Sequence, residues 1–364
     1  MQQINRRMFA LSVVAGMVLV GCGGEKSTQT PTGTPNSAGT TVGSPPAGGV
    51  KVVGVALTSR NHNFFIGMEQ GITEELAAQG YKADIQIAED SAPTQQQQID
   101  TLARKGVNAI IMVPAGAKEA IACVEIANKA NIPIFCIDRR VTDPSAKVAS
   151  TIETDNKAMG EEAAKYGVAL LCKRKGLDPN KPEDLQKLTG KVVHLWGKPE
   201  ASSAQDRAEG IDKVLKQTGL TVLKAFGNFS AKTSQEEMAP LLTANPNIEL
   251  IVCHNDDNAI GAYNAILDIK KAREAANDPK RIILIGMDGN QPAIEKIRAG
   301  EIEATVSQEP LEMGKETEKQ VKKVLDGGQP DKPYIPIRHT LITQKEANEM
   351  KGKLWSDQLK STAK

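Results

Sequence analysis

Short apolar runs alternate with longer amphipathic segments from residue 51 onward. Several of these runs, such as Ile282-Ile283-Leu284-Ile285, are apolar at every position, which is typical of strands buried on both faces of a parallel sheet. The intervening segments, for example 94–105 and 117–130, carry apolar residues at helical spacing. The predicted strands span residues 51–57, 83–88, 109–113, 133–137, 192–196, 221–226, 250–253, 282–286 and 304–307.

This alternation predicts an α/β fold. A single parallel sheet with this many strands is less favourable than two sheets of about five or six strands each. The chain of 364 residues is long enough for two domains of ~150 residues. We therefore expect two doubly wound parallel-sheet lobes. A charged insert interrupted by proline, residues 173–191, predicts a surface loop.

The N-terminus has the pattern of a signal peptide. Arg6 and Arg7 precede an apolar segment over residues 8–20. As a helix this segment would rise about 20 Å, which is too short for a bilayer core of roughly 30 Å. Leu19-Val20-Gly21-Cys22 resembles the lipobox of bacterial lipoproteins. It predicts removal of residues 1–21 and a diacylglycerol on Cys22; a chance cysteine in an ordinary signal peptide is the alternative.

Residues 22–49 are rich in Gly, Pro, Ser and Thr, and they carry few charges. Such a segment cannot bury enough apolar surface to order itself, and as a flexible chain it reaches about 30 Å. We expect a linker that tethers a folded body to a lipid surface. The mature protein would then be exported to the cell envelope or periplasm and anchored in a membrane through Cys22.

Composition excludes several classes of function. Lys and Arg number 45 against 44 Asp and Glu, and no dense basic stripe follows the signal segment, so a nucleic-acid partner is not expected. The histidines are scattered and no Cys-x-x-Cys occurs, so we predict no metal and no cofactor. Four cysteines remain after Cys22, and we expect buried free thiols, although export would permit disulfides.

Polar and aromatic side chains cluster just after the predicted strands. In open α/β sheets, ligands bind outside the carboxyl ends of the strands. The set combines carboxylate, guanidinium and amide groups with phenyl rings, which suits the hydroxyls and the apolar C–H face of a sugar. These strand-end candidates are Phe64, Phe65, Asp138, Arg139, Arg207, Phe229, Asn255, Asp288 and Gln308.

Each candidate also has a structural interpretation. Phe64 and Phe65 fit the buried face of a helix, and Asp138 with Arg139 fits a solvated ion pair. Asn255 and Asp288 are of the residue types that cap helices, and an arginine in a helix of mixed charge, such as Arg207, is often a surface residue. The shared position at strand ends favours a binding site over these alternatives.

The chain from about residue 50 to 355 resembles the sugar-binding proteins of ABC importers, in the type I periplasmic binding protein class and its ribose-binding branch. The motifs that carry the resemblance occur in order: Asn-His-Asn-Phe-Phe, Ile-Pro-Ile-Phe-Cys-Ile-Asp-Arg-Arg, Asp-Arg-Ala-Glu-Gly, His-Asn-Asp-Asp-Asn-Ala-Ile-Gly-Ala, Ile-Gly-Met-Asp-Gly and Ala-Thr-Val-Ser-Gln. The resemblance implies that the three phenylalanines stack on a sugar and that the polar candidates bind its hydroxyls and ring oxygen.

The resemblance also implies two lobes joined by a three-crossing hinge near Thr154, Gln308 and Ile337. The N-terminal lobe would comprise residues 50–153 plus 309–337. The C-terminal lobe would comprise residues 154–308 plus 338–355, followed by a tail over 356–364. Ligand would bind in the cleft between the lobes and favour closure.

Three positions depart from related proteins. His62 and Met287 stand where the ribose branch usually has Asn and Phe, so both are expected on the pocket wall, where they would change the preferred sugar. Asp178-Pro179-Asn180 lies where glucose/galactose-binding relatives hold a calcium loop. Pro182 occupies a position that should supply a ligand oxygen, so calcium is not expected.

These features together predict a non-enzymatic, monomeric solute-binding lipoprotein of an ABC importer. It would capture a ribose-like pentose, a hexose or a cyclitol and deliver it to a membrane permease and its ATPase. The same clamp acting as a ligand sensor for a chemoreceptor or sensor kinase is the alternative. The sequence contains no nucleophile elbow and no Gly-rich phosphate-binding loop, so neither motif favours an enzyme.

Overall fold

The computed structural model describes residues 49–274 and 282–360. The predicted signal peptide, the lipidated Cys22 and the linker up to residue 48 lie outside the described residues, as does the end of the predicted tail, 361–364. Within the part described, no helix combines the length and apolar character needed to cross a membrane.

Strands and helices alternate through most of the described chain. The strands are β1 (Val52–Leu57), β2 (Lys82–Ile87), β3 (Ala109–Met112), β4 (Ile134–Ile137), β5 (Ser150–Thr154), β6 (Lys191–Trp196), β7 (Thr221–Phe226), β8 (Ile248–Cys253), β9 (Ile283–Asp288), β10 (Ala304–Ser307), β11 (Tyr334–Ile337) and β12 (Thr340–Thr343). The α-helices are α1 (Asn63–Ala78), α2 (Ala92–Arg104), α3 (Ala120–Lys129), α4 (Asn156–Lys175), α5 (Pro182–Lys187), α6 (Ser202–Leu215), α7 (Ala231–Ala244), α8 (Asp256–Glu274), α9 (Gln291–Arg298), α10 (Pro310–Leu325) and α11 (Gln344–Glu349). A 3-10 turn follows at Trp355–Asp357.

The first lobe is built on a parallel sheet with strand order β11-β5-β4-β3-β1-β2. Helices α1 and α10 cover one face, where Met68, Ile72 and Met313 pack against the apolar strands. Helices α2 and α3 cover the other face through residues such as Ile99 and Val124. Burial on both faces explains why these strands lack polar alternation.

The second lobe repeats this design with strand order β12-β10-β9-β8-β6-β7, in which only β12 runs antiparallel. Helices α4 and α6 contribute to the apolar layer on one face, and α7, α8 and α9 contribute to the layer on the other. The prediction of two doubly wound α/β lobes is therefore confirmed. The chain passes between the sheets after Thr154, after Ser307 and after Ile337.

Three strands, β5, β11 and β12, are absent from the predicted set. Strand β5 is Ser-Thr-Ile-Glu-Thr and lacks an apolar run, although all of its residues are buried. Strand β11 contains Pro336, which a strand tolerates at the edge of a sheet, where one side needs no ladder hydrogen bond. Strand β12 is also an edge strand, and it is only partly buried.

Two further expectations are wrong. The insert 173–191 is not simply a surface loop, because α4 extends to Lys175 and α5 follows, and the side chain of Leu188 is fully buried in the core of the second lobe. Trp355, assigned from the sequence to the C-terminal lobe, packs in the apolar core of the first lobe, and Leu359 of the predicted tail packs beside it. The expectation for the thiols holds: Cys123, Cys136, Cys172 and Cys253 are free and buried.

Candidate ligand-binding site

A cavity of about 410 Å³ lies between the two lobes at the carboxyl ends of their strands. All of the predicted binding residues except Met287 line it, and Asp90, Lys198 and Ser203 line it as well. The lining residues are His62, Phe64, Phe65, Asp90, Asp138 and Arg139 from the first lobe, with Lys198, Ser203, Arg207, Phe229, Asn255, Asp288 and Gln308 from the second.

Met287 does not lie on the cavity wall. Its side chain is fully buried in the apolar layer beneath α4, beside Val306 and Met159. Successive residues of a strand point to opposite faces of the sheet, so Met287 and Asp288 of β9 diverge. The prediction that Met287 lies on the pocket wall and changes the preferred sugar is therefore wrong.

Aromatic rings from both lobes enclose one charged group of the cavity. Phe64 and Phe65 lie in the first turn of α1, with their rings 5.6 Å apart in an edge-to-face arrangement. The guanidinium carbon of Arg139 lies 5.6 Å from the ring centre of Phe65 and 5.8 Å from that of Phe229. Rings at these distances attract a cation and offer apolar faces to a ligand.

The position of the Phe229 ring requires a close approach to the backbone of Gly197. The backbone of Phe229 is left-handed, with φ of 60°, and an added Cβ on Gly197 would lie 2.1 Å from the phenyl ring. We expect Gly197→Ala to displace this ring and to weaken ligand binding up to about tenfold, since an aromatic contact contributes ~0.5–1.5 kcal/mol. Calorimetric titration measures the affinity. Unchanged affinity would show that the position of Phe229 is not needed for binding.

Asp138 and Arg139 form a buried pair directly after β4. Arg139 Nε lies 3.5 Å from Asp138 Oδ2, and Arg139 Nη1 donates to the Pro114 carbonyl at 3.3 Å. Asp138 has a left-handed backbone with φ of 66°. Burial raises the pKa of its carboxyl, and the positive charges of Arg139 and Arg207 oppose that rise. The rare backbone conformation and the buried charge are both costs that binding sites commonly carry.

Arg207 and Asp288 form a second buried pair. Arg207 Nη1 lies 3.3 Å from Asp288 Oδ1, and Arg207 Nε donates to Asn156 Oδ1 at 2.8 Å. Arg207 also donates to the backbone carbonyl of His254. Gln308 Nε2 donates to Asp288 Oδ1 at 2.7 Å. Burial raises the pKa of Asp288 to about 6, although Arg207 and Gln308 act to lower it.

The loop after β9 is held by its neighbour Asp256, which is fully buried. Its Oδ2 accepts the backbone N–H groups of Gly289 and Asn290, each at 2.8 Å, and its Oδ1 accepts the Thr305 hydroxyl at 2.7 Å. Asn255 Oδ1 accepts the backbone N–H of Asn258 at 2.8 Å, as a helix cap does. Asn255 therefore caps α8 and lines the cavity, so its two interpretations are compatible.

A buried pair of histidines, His194 and His254, lies next to Arg207, which donates to the backbone carbonyl of His254. Asp212 Oδ1 lies 2.9 Å from His194 Nδ1, and His194 Nε2 lies 2.7 Å from His254 Nε2. Asp212 accepts the Nδ1–H of His194, so His194 Nε2 accepts from His254. His254 Nδ1 has no partner in the described chain. Burial lowers the pKa of both rings, and for His254 the charges of His194, Arg207 and Lys224 lower it further.

This pair predicts loss of stability in acid. Because the folded-state pKa of both rings lies below the unfolded value of about 6.5, the unfolded chain binds protons first as the pH falls below 6.5. The free energy of unfolding should then decrease by up to about 1.4 kcal/mol per pH unit for each histidine. Denaturant titrations of the unliganded protein between pH 5 and 8 measure it. His254→Gln should reduce the slope of the unfolding free energy against pH, and His339→Gln, on a partly exposed ring, should not. Equal slopes in the parent and in His254→Gln would contradict the assignment of this pH dependence to the buried histidines.

Asp90 and Lys198 also fit the expectation that ligand-binding residues follow the carboxyl ends of strands. Asp90 follows β2 and Lys198 follows β6 within a few residues, but neither belongs to a motif that carries the resemblance. Ser203 lies in the first turn of α6 and gives no comparable signal.

The charges around the cavity balance. Arg139 pairs with Asp138, Arg207 with Asp288, and Lys198 with Asp90 at 2.7 Å. Each charged side chain thus has a partner of opposite sign. Such a site suits a ligand without net charge that both donates and accepts hydrogen bonds.

Comparison with known proteins gives the family. Residues 53–329 match the family model described as "Periplasmic binding protein domain". The chain belongs to this family. The relatives that it matches are periplasmic binding proteins for transport, and the chain is not an enzyme.

Individual relatives share most of the chain. It is 29% identical over 294 residues to the ribose import binding protein of Bacillus subtilis, covering 80% of this chain and 87% of the relative. A solved galactofuranose binding protein superposes with a TM-score of 0.72 at 24% identity, covering 83% of this chain and 98% of the other. A solute binding protein of Bacillus halodurans with bound myo-inositol superposes with a TM-score of 0.72 at 22% identity, covering 85% of this chain and 100% of the other. These structures support the fold.

Proposed function

We propose that this protein is the sugar-binding component of an ABC importer and captures an uncharged monosaccharide in the cleft between its lobes. The observation that carries the proposal is the charge-balanced cavity between Phe65 and Phe229, which come from opposite lobes. The similarity to ribose import binding proteins supports the transport role and the sugar class.

The buried polar groups leave hydrogen-bonding capacity for a ligand. Arg139 Nε and Gln308 Oε1 are buried and have no hydrogen-bond partner among the described residues. An unsatisfied buried polar group costs about 1–3 kcal/mol, and a sugar hydroxyl placed beside it would remove that cost. Asp138 and Asp288 would accept hydroxyls, Arg139, Arg207 and Asn255 would donate, and the phenyl rings would cover the C–H face.

The lobes would act as two hinged bodies, residues 50–153 plus 309–337 together with Trp355, and residues 154–308 plus 338–354. Trp355 would connect them, because its ring packs in the first lobe and its Nε1 donates to the Asp288 carbonyl at 3.0 Å. The protein would be exported, act as a monomer and be held at the membrane by a lipid on Cys22. Bringing both lobe surfaces together would present them to a permease.

A thermal-shift screen against pentoses, hexoses, cyclitols and nucleosides tests this function. A bound sugar should raise the melting temperature by mass action. We expect one or a few neutral monosaccharides to do so, and expect sugar acids and sugar phosphates not to. A screen in which only charged compounds bind would overturn the proposed ligand class, and turnover of a bound sugar would overturn the transport role.

A further inference from the structure

An ion pair between Asp90 and Lys198 joins the two lobes beside the cavity. Lys198 Nζ lies 2.7 Å from Asp90 Oδ2. Asp90 follows β2 of the first lobe and Lys198 follows β6 of the second, and both side chains line the cavity. They are partly exposed, at 28% and 22% of their side-chain surface, so the pair lies at the rim and not at the floor of the site.

The first lobe holds Asp90 in position by itself. Glu89 and Asp90 both have left-handed backbones, with φ of 48° and 60°, which non-glycine residues rarely adopt. The Thr58 hydroxyl donates to Asp90 Oδ1 at 3.0 Å, and the backbone N–H of Asp90 donates to the Thr58 carbonyl at 2.7 Å. The carboxylate is therefore oriented before any residue of the second lobe reaches it.

The segment that carries Lys198 makes further contacts with the first lobe. The Glu200 carbonyl accepts the backbone N–H of Ala117 at 3.1 Å, and the Ser202 hydroxyl accepts that of Arg140 at 2.9 Å. Arg140 also pairs with Asp206. This side of the cleft thus carries a row of contacts between the lobes, and all of them must break if the lobes separate here.

The electrostatics of Asp90 agree with a functional pair. Burial would raise the pKa of this carboxyl, but the hydrogen bond and charge of Lys198, the Thr58 hydroxyl and the charge of Arg139 together lower it. The aspartate is therefore ionised at neutral pH, and it supplies a full negative charge opposite the lysine.

We propose that Asp90 and Lys198 form a clasp that holds the lobes together over a bound sugar and sets its dissociation rate. This inference rests on the proposed function. Lys198 acts as a positioning residue, because its ammonium group binds the carboxylate of the opposite lobe. The clasp forms only when the lobes are closed, so its loss should accelerate dissociation, while association should change only as far as the separated population of the unliganded protein changes. Affinity differences within one site arise mostly in the dissociation rate.

The test is a double-mutant cycle on the purified full chain in detergent. D-Ribose, D-allose and myo-inositol are tried as probes, and one that binds is used in stopped-flow measurements. We expect Lys198→Met and Asp90→Asn each to raise the dissociation rate about tenfold, with association within about twofold of the parent. The double variant should dissociate no faster than either single variant. Asparagine tolerates the left-handed backbone of position 90.

Lys105→Met is the matched control. Lys105 pairs with Asp84 at 2.6 Å within the first lobe, so its loss should not change either rate. Additive effects of the two substitutions on the dissociation rate would overturn the clasp. An effect of Lys198→Met without an effect of Asp90→Asn would also overturn it, because Lys198 would then contact the sugar directly. Unchanged rates in both variants would overturn it as well.

A second measurement separates this inference from the proposed function. Spin labels at the exposed positions 129 and 232, one in each lobe, report the distance between the lobes without any sugar. Lys198→Met and Asp90→Asn should each increase the separated population, and the double variant should match them. If no sugar binds but the distances change in this way, the proposed function fails, while Asp90 and Lys198 still hold the lobes together. Unchanged distances would overturn the clasp whether or not a sugar binds.

Discussion

Replacing Arg207 with alanine should abolish sugar binding and lower the stability of the unliganded protein. Arg207 pairs with Asp288 at 3.3 Å and bonds to Asn156 and to the carbonyl of His254, all in buried surroundings. Removing one partner of a buried ion pair leaves an uncompensated charge and costs about 3–5 kcal/mol of unfolding free energy. Loss of charged hydrogen bonds to the sugar, ~1.5–3 kcal/mol each, should reduce affinity at least 100-fold.

Titration calorimetry and denaturant unfolding measure the two effects. Arg104→Ala is the control, because Arg104 forms an exposed pair with Asp100 in α2 and such pairs contribute about 0–1 kcal/mol. It should leave affinity unchanged. An Arg207→Ala protein that binds sugar within about threefold of the parent would show that this guanidinium serves only the fold.

Replacing Asp138 with asparagine should separate binding from stability. Asparagine has the same shape and tolerates φ of 66°, so the backbone is preserved. The substitution removes a buried carboxylate whose pKa burial has raised, but it also leaves Arg139 without its charged partner. We therefore expect a smaller loss of unfolding free energy at neutral pH than for Arg207→Ala. A sugar hydroxyl that donates to Asp138 would lose a charged acceptor, and affinity should fall roughly 10- to 100-fold.

The matched control for this variant is Asp143→Asn. Asp143 follows the same strand, but its carboxylate accepts Ser145 within its own turn and does not line the cavity. Both variants are compared by calorimetry and by thermal unfolding at pH 7. Affinity of Asp138→Asn equal to that of the parent would show that this carboxylate does not bind the sugar. A large loss of stability would show that its ionised form supports the fold.

The fold was largely predictable from the pattern of apolar runs. Strands such as β3 and β4 are buried on both faces and therefore apolar throughout, so the pattern identifies them. Strand β5 is equally buried but carries Ser150 and Glu153, whose polar partners lie outside the strand. Ser150 donates to the carbonyl of Lys332, and Glu153 pairs with Arg140. No pattern within the strand reveals these contacts.

The candidate site was predictable where strand ends and motifs agreed. The errors have physical reasons. Met287 was placed on the wall although its neighbour Asp288 points there, and adjacent strand residues face opposite ways. Asp90 and Lys198 follow strands, as the other site residues do, but they lie outside the recognised motifs, and their pairing depends on how the lobes approach each other. That approach is a property of the tertiary structure and leaves no periodic signal in either segment.

The site combines features that cost stability with features that favour a ligand. Asp138, Phe229 and Asp288 all have positive φ, and the two aspartates are buried carboxylates. Strain and buried charge of this kind persist where surrounding contacts enforce them. Asp256 fixes the Asp288 loop, and Gly197 makes room for Phe229. The stable parts of both lobes thus hold the cavity side chains in place.

A crystal structure with the monosaccharide that gives the largest thermal shift is the most direct test of the account. We predict electron density for one sugar between the phenyl rings of Phe65 and Phe229, with hydroxyls within hydrogen-bonding distance of Asp138, Arg207 and Asp288. A sugar bound at any other place on the protein, with these side chains still paired only with one another, would contradict it.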